Sequence, residues 1–184
     1  MAPLTEKALA ASLKKLLEKK TLNKITVRDI TDDCGVNRQT FYYHFHDVYD
    51  LVEWIFTQEA NKYMSDGLSS KNWREVVSDL MEGLLSEKAF VMNAYYSLNR
   101  RQLEEFLQNL ARPAVRDLVC EVAADRAIDA EDLEFVVDIA TFSLVGIMTE
   151  WVAGGMNTEY KEKLDKVFLL LDGSLEHVLD KFVK

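Results

Sequence analysis

Proline and glycine are scarce, at two and seven residues in a chain of 184. So few chain breakers argue against a turn-rich β fold and for long helices. Cysteine is scarcer than any disulfide framework needs, with Cys34 and Cys120 alone, and a reduced, cytoplasmic setting is expected. Long apolar runs are missing too. The longest strictly apolar stretch is Val167 to Leu171, against the ~20 residues needed to cross a bilayer, so no membrane span is expected. The N-terminus, "MAPLTEKALAASLKKLL", has no basic segment leading into an apolar one and does not read as a secretory leader. A phosphate loop, a nucleophile elbow and metal-ligand spacing are all lacking. An enzyme is therefore without support, and no cofactor is implied.

What is present describes a globular chain, 48% hydrophobic and 29% charged, long enough to bury ~70% of its unfolded surface. The net charge is −9, which at first counts against a nucleic-acid partner. Its distribution reverses that. Residues 1 to 50 carry eight Lys/Arg against seven Asp/Glu, a balance of +1, and the remainder carries 14 against 24, a balance of −10. The acid lies in the C-terminal body, and the N-terminal segment is the part a phosphate backbone can approach.

The periodicity is helical throughout. Leu9, Leu13, Leu16 and Leu17 form one stripe, predicting a helix over about residues 5 to 19. In "TVRDITDDCG", Thr26 has N-cap character, Asp29 stands at capping-box spacing, and Gly35 suits a left-handed stop, so the second helix is about eight residues long. Asn37 caps a third helix, and Asp47 starts a long fourth one, "DVYDLVEWIFTQEANKYMSD". Two short helices across a Gly-containing turn make a helix-turn-helix, whose second helix is the one presented to a DNA major groove. Further helices follow over Trp73 to Leu84, Phe90 to Leu98, and Leu103 to Ala123 with a kink or restart at Pro113. Two long ones close the chain, Asp129 to Ala153 and Thr158 to Val183. No strand and no internal repeat is evident.

The stretch "GVNRQTFYYHFHDVYDL", residues 35 to 51, concentrates rings and two histidines. At 100° per residue, Phe41 and Phe45 share the inner face. Gln39 and Tyr43 point the opposite way, flanked by Arg38 and Tyr42 on one side and Thr40 and His44 on the other. His44 and His46 diverge by about 200° on a helix, whereas helical zinc pairs use a four-residue spacing, so no metal site is expected. On the polar face Arg38 can pair with guanine, Gln39 with adenine, and Thr40 can touch a thymine methyl or a phosphate. Tyr42, Tyr43 and His44 offer donors to phosphate oxygens farther along. Thr26 and Arg28, at the start of the preceding helix, sit where the backbone is gripped. An ordinary solvated helix face remains the rival reading, with His44 a locally bonded helix-end residue.

The run "ITVRDITDDCGVNRQTFYYHFHDVYDLVEWI" resembles the DNA-binding signature of TetR-type transcriptional regulators, over about residues 5 to 55. The resemblance implies an all-α protein with a helix-turn-helix DNA-binding domain at 1–50 and a helical effector-binding and dimerisation domain at 51–184. It further implies a homodimer on a pseudo-palindromic double-stranded DNA operator, and the last two helices are expected to form its interface because each has more apolar surface than one chain readily covers. Thr26, Arg28, Arg38, Gln39, Thr40, Tyr42, Tyr43 and His44 inherit DNA contacts by motif position, and Phe41 and Phe45 inherit core roles. Cys34 stands where alanine is usual, a benign change if buried. Val48 stands where many members carry lysine, which removes a phosphate contact. The run "HFHDVYDLVEWIF" also resembles the subgroup of dihydroxyacetone kinase regulators. There, control runs through a kinase-like co-regulator as well as, or instead of, a small molecule, and can activate.

The effector side is less defined. Tyr63, Phe90, Tyr95, Tyr96, Phe106, Phe142, Met148 and Trp151 are candidates to line a pocket for an unknown small molecule, with plain core packing as the competing reading. Arg100 and Arg101 could meet an anion or simply be solvated. A helical interaction module without a DNA role is the remaining alternative, and alanine at Arg38 and Gln39 would leave its function intact.

Overall fold

A computed structural model of the chain describes residues 4–64, 67–157, 160–171 and 173–184. Among the described residues every regular element is helical. The helices are α1 (Leu4–Leu17), α2 (Val27–Cys34), α3 (Arg38–His44), α4 (Val48–Met64), α5 (Trp73–Ser86), α6 (Lys88–Ser97), α7 (Arg100–Ala123), α8 (Ala130–Ala153), α9 (Tyr160–Leu171) and α10 (Ser174–Leu179), with a 3₁₀ turn at Leu22–Lys24.

The first three helices fold around one apolar centre. Leu9 and Leu13 of α1, Ile30 of α2 and Phe41 of α3 are each 0% exposed, which is the core predicted from the leucine stripe and the inner face of α3. Leu51, Val52 and Ile55 bring the first turns of α4 into the same cluster, and Phe90 of α6 with Trp151 of α8 extend it into the body. α4 therefore belongs to both halves of the chain. Cys34 and Val48, the two departures from the family pattern, are partly buried against this cluster, so both act as packing residues.

α7 and α8 form the most extensive helix pair of the body. Arg112 Nη2 lies 2.6 Å from Glu134 Oε2 and 2.9 Å from Asp138 Oδ1, and Arg116 Nη2 lies 2.8 Å from Glu134 Oε1. A second, smaller cluster of Val115, Val119, Val137 and Leu179 closes the far end.

Two sequence expectations change. Of the kink or restart expected at Pro113, the restart does not occur: α7 runs through it as one helix. Pro113 is exposed, so the carbonyl it deprives of a partner, that of the exposed Asn109, stays open to water. The last helix is not continuous either. It breaks between Leu171 and Ser174, where Gly173 takes a left-handed φ of 67°, and its expected start at Thr158 falls outside the described residues, as does the end of "DVYDLVEWIFTQEANKYMSD" at Ser65 and Asp66. α8 also qualifies the membrane argument: by length and composition it is apolar enough to cross a bilayer. Its hydropathy is spread over an interrupted sequence, which a search for unbroken runs does not register. It packs on α7, with Val136, Val137, Thr141, Val145, Trp151 and Val152 buried.

Candidate nucleic-acid interface

The interface begins with local hydrogen bonds. Thr26 Oγ1 accepts from the Asp29 amide at 3.2 Å, and Asp29 Oδ2 accepts from the Thr26 amide at 2.8 Å, a complete capping box that satisfies two otherwise unpaired donors. The Thr26 hydroxyl also donates to Asp29 Oδ2 at 2.6 Å. These bonds from the Thr26 hydroxyl and amide, with one from Lys20, hold the Asp29 carboxyl far below the usual carboxylate range. α2 ends at Gly35, whose φ of 73° is left-handed, a backbone state that costs a side-chain-bearing residue more than glycine.

α3 then starts from Asn37, whose Oδ1 accepts from the Thr40 amide at 2.7 Å and from the Thr40 hydroxyl at 3.0 Å. Beneath it Phe41 and Phe45 are 0% and 3% exposed, their ring centres 5.8 Å apart, and Phe45 meets Trp54 of α4 edge-on at 5.9 Å. With its underside fixed, α3 presents the opposite face. Arg38 and Gln39 are exposed, Tyr42 and Tyr43 are 59% and 85% exposed, and Arg28 of α2 pairs with Asp32, at 3.3 Å, on open surface. An exposed pair of that kind contributes little and readily exchanges a carboxylate for a phosphate.

Two of the expected contact residues are held in helix caps, and a third is turned away from the outward face. Thr26 has both its amide and its hydroxyl engaged by Asp29. Thr40 has its amide and hydroxyl engaged by Asn37. His44 turns inward: its side chain is 16% exposed, and Nδ1 lies 3.3 Å from Glu6 Oε1 of α1. The reason is that α3 ends at His44 and the chain leaves in an extended conformation at Phe45, so α1 can cover that flank. Periodicity within α3 cannot register Glu6. His46 takes a separate partner, Asp50 Oδ2, at 3.1 Å. No group of three or more metal-ligating side chains occurs among the described residues. Lys24, which ends the 3₁₀ turn two residues before the α2 cap, is exposed as well.

The eight pocket candidates do not form one site. Tyr95 and Met148 line an apolar cavity of about 110 Å³ among α4, α5, α6, α7 and α8. Phe90 and Trp151 are core residues, each 4% exposed; the Phe90 ring lies 5.1 Å from that of Phe56, and the Trp151 indole donates to the Asn157 carbonyl at 3.3 Å. Tyr63 covers Gly83 so closely that an added Cβ would meet its hydroxyl at 2.0 Å. Phe106 faces a polar cleft between α4 and α7, which also contains Asp50 and Glu53. In that cleft, burial together with Asp50 and Asp47 pushes the Glu53 carboxyl up. Tyr96 and Phe142 are surface residues, 68% and 51% exposed. Helical spacing puts an aromatic on an apolar stripe but does not say what the stripe faces. Arg100 and Arg101 pair along their own helix with Glu104 and Glu105, both at 2.9 Å.

Comparison with known proteins agrees with this architecture. A profile described as bacterial regulatory proteins, tetR family, matches residues 9–54, and one described as transcriptional regulator C-terminal region matches residues 71–173. The HTH-type dhaKLM operon transcriptional activator DhaS of Lactococcus lactis subsp. lactis is 26% identical over 92 residues, which make up 50% of this chain and 49% of that protein. The aligned segment thus spans about half the length of that curated relative. A solved structure of a dihydroxyacetone kinase operon activator DhaS superposes with a TM-score of 0.70 at 20% identity, covering 98% of this chain and 99% of that one. A TetR transcriptional regulator from a Rhodococcus species gives 0.58 at 14% identity, covering 90% and 94%. Identities this low speak for the shared fold alone. The two profiles together take in both the capped helix-turn-helix and the helical body, and the chain belongs to the TetR family of bacterial regulatory proteins.

Proposed function

We propose that the chain is a homodimeric cytoplasmic transcriptional regulator that grips a pseudo-palindromic operator with residues 1–50 and is controlled through residues 51–184 by a small ligand or a partner protein. The observation that carries this is the exposed face of α3. Arg38, Gln39, Tyr42 and Tyr43 point away from a core built on Phe41 and Phe45, a rigid reading surface with bidentate and phosphate-directed donors. Arg28 and Lys24 flank it as backbone contacts, and Thr26, Thr40 and His44 act chiefly by holding the two helices in register.

Dimerisation uses α8 with α9 and α10. Phe135, Ile139 and Phe142 form an exposed stripe on α8, and Leu169 and Leu170 of α9 are 76% and 74% exposed, apolar side chains of the kind that mark a partner surface when they cluster. Two α3 helices would then stand about one DNA turn apart, ~34–36 Å. Control acts through α4, whose first turns lie in the DNA-binding core and whose later turns, at Ala60 and Met64, line the body's cavity. An effector shifts the spacing only by its differential affinity for the two arrangements.

A mobility shift on the DNA upstream of the chain's own gene tests the proposal. Wild type should give a saturable, salt-sensitive shift, and Arg38→Ala with Gln39→Ala should abolish it. Sequence-blind binding, or a function indifferent to those two changes, would instead favour a helical interaction module. The likeness to DhaS favours a second, finer reading, in which the chain activates a dihydroxyacetone kinase operon through a kinase-like co-regulator. Reporter activation that depends on such a partner tests it.

A further inference from the structure

α3 is seven residues long, about two turns, and a helix that short does not hold itself in place. Asn37 fixes its start and Phe41 its underside. Its end carries a further tie. His44 is the last residue of α3, and Glu6 stands in the first turn of α1. The two meet with Nδ1 3.3 Å from Oε1, their side chains 16% and 17% exposed. The His44 ring also meets the Tyr43 ring edge-on, with centres 5.0 Å apart and planes at 88°. Sequence neighbours on a helix do not ordinarily face each other, so this contact depends on how the imidazole is turned, and Glu6 is the group it is turned toward. Tyr42 needs no such support from α1, because it lies edge-on to the buried Phe41 at 5.6 Å.

We infer that Glu6 is a positioning residue for operator binding, whose carboxylate fixes the His44 imidazole and through it braces the Tyr43 ring on the DNA-facing surface. The inference rests on the regulatory reading above for what the brace serves, and on the contacts among Glu6, His44 and Tyr43 for the brace itself. An exposed tyrosine on a helix has several side-chain rotamers open to it, and giving them up on docking weakens the complex. Tyr43, at 85% exposed, gives up less if an edge-on neighbour has already set its ring. Charge alone makes the opposite demand. A carboxylate in the DNA-binding segment repels phosphate, so an ordinary surface glutamate weakens DNA binding and its removal strengthens it. Glu6, largely covered and turned to the end of α3, is placed to do the reverse.

Glu6→Gln in the full chain keeps the size of the side chain and removes its charge. It should weaken operator binding in the mobility shift by roughly three- to tenfold, the range an edge-on ring contact corresponds to. The slope of log affinity against log salt should stay as in wild type, because neither Glu6 nor the neutral Tyr43 neutralises a phosphate. In a Tyr43→Ala background the same change should weaken binding no further, since the residue it acts through is gone. Labelling the chain with fluorotyrosine reads the brace without DNA. Glu6→Gln should move the fluorine resonance of Tyr43, assigned by its loss in Tyr43→Phe, toward its position in the urea-unfolded chain and leave that of Tyr42 in place. Should Glu6→Gln not fold, His44→Gln removes the bracing ring and carries the same expectations. Affinity in Glu6→Gln equal to or above wild type would overturn the inference, as would a loss that adds in full to that of Tyr43→Ala, or a Tyr43 resonance that does not move. A wild-type chain that shifts no operator counts against the regulatory reading, and the Tyr43 resonance then decides the brace alone.

Discussion

The Lys14 ammonium of α1 lies 2.8 Å from Glu87 Oε1, at the α5–α6 junction, and 3.1 Å from Glu59 Oε1 of α4. One side chain thereby ties α1 to both the shared helix α4 and the body. Burial pushes the Lys14 ammonium down, but its bonds to Glu87 and Glu59 outweigh that and leave it raised above its ordinary 10.5. Burial pushes Glu59 up, and its bonds to Lys62 and Lys14 carry it below its ordinary 4.5. A raised lysine stabilises below its unfolded pKa and stops doing so as pH rises through the folded one; a lowered carboxylate stabilises above its unfolded pKa and stops as pH falls. Lys14→Met should therefore cost about 1–2 kcal/mol at neutral pH, a figure reduced from fully buried pairs because the site is partly solvated. The gap between wild type and variant in thermal melts should narrow below pH 4.5 and above pH 10.5. A gap that stays constant across that range would contradict the assignment.

Arg28 and Asp32 form an exposed pair, with side chains 70% and 68% accessible. Such pairs contribute roughly 0–1 kcal/mol, so Arg28→Ala should leave the melting temperature nearly unchanged. Its operator affinity should fall, and the slope of log affinity against log salt should shrink by about one, the signature of one lost phosphate contact. Unchanged salt dependence would remove Arg28 from the interface.

Two backbone devices set the angle of α3. Asn37→Ala deletes the acceptor for the Thr40 amide and should cost about 1 kcal/mol, with Asn37→Asp or Asn37→Ser largely retaining stability. Gly35→Ala has no steric obstacle, since nothing lies within 4 Å of the added Cβ. Its cost is purely the left-handed φ, about 1–2 kcal/mol, or roughly 2–8 °C in melting temperature for a chain of this size. A melt of Gly35→Ala indistinguishable from wild type would show that α2 does not depend on this stop.

These devices were legible in the sequence because they are local. Thr26 with Asp29, Gly35 and Asn37 each act within a few residues, and the inner face of α3 follows from spacing alone. Partners supplied by distant helices were not legible. Glu6 takes the flank where His44 was expected to face DNA, and Phe90 of α6 became core against Phe56 of α4, in the same cluster as Trp151 of α8. Tyr96 and Phe142, on equally aromatic stripes, were left at the surface. The break at Gly173 fell inside a stripe that remains periodic on either side, so apolar spacing alone could not locate it.

The α8 stripe carries the last prediction. Phe135, Ile139 and Phe142 are 55%, 49% and 51% exposed, at a spacing that places them along one side of the helix, while Val136, Val137 and Val145 are buried within the chain. A charge on the exposed side leaves the monomer's core untouched but would be desolvated in an isologous interface, where each substitution occurs twice and faces its symmetry mate. Ile139→Glu with Phe142→Glu should accordingly melt as a folded helical protein and elute at the monomer mass in light scattering, where wild type elutes as a dimer. Operator affinity should fall on the order of tenfold or more, because a monomer engages only one half-site. A double variant that stays dimeric would move the interface off this face of α8 and make the exposed Leu169 and Leu170 of α9 the next positions to test.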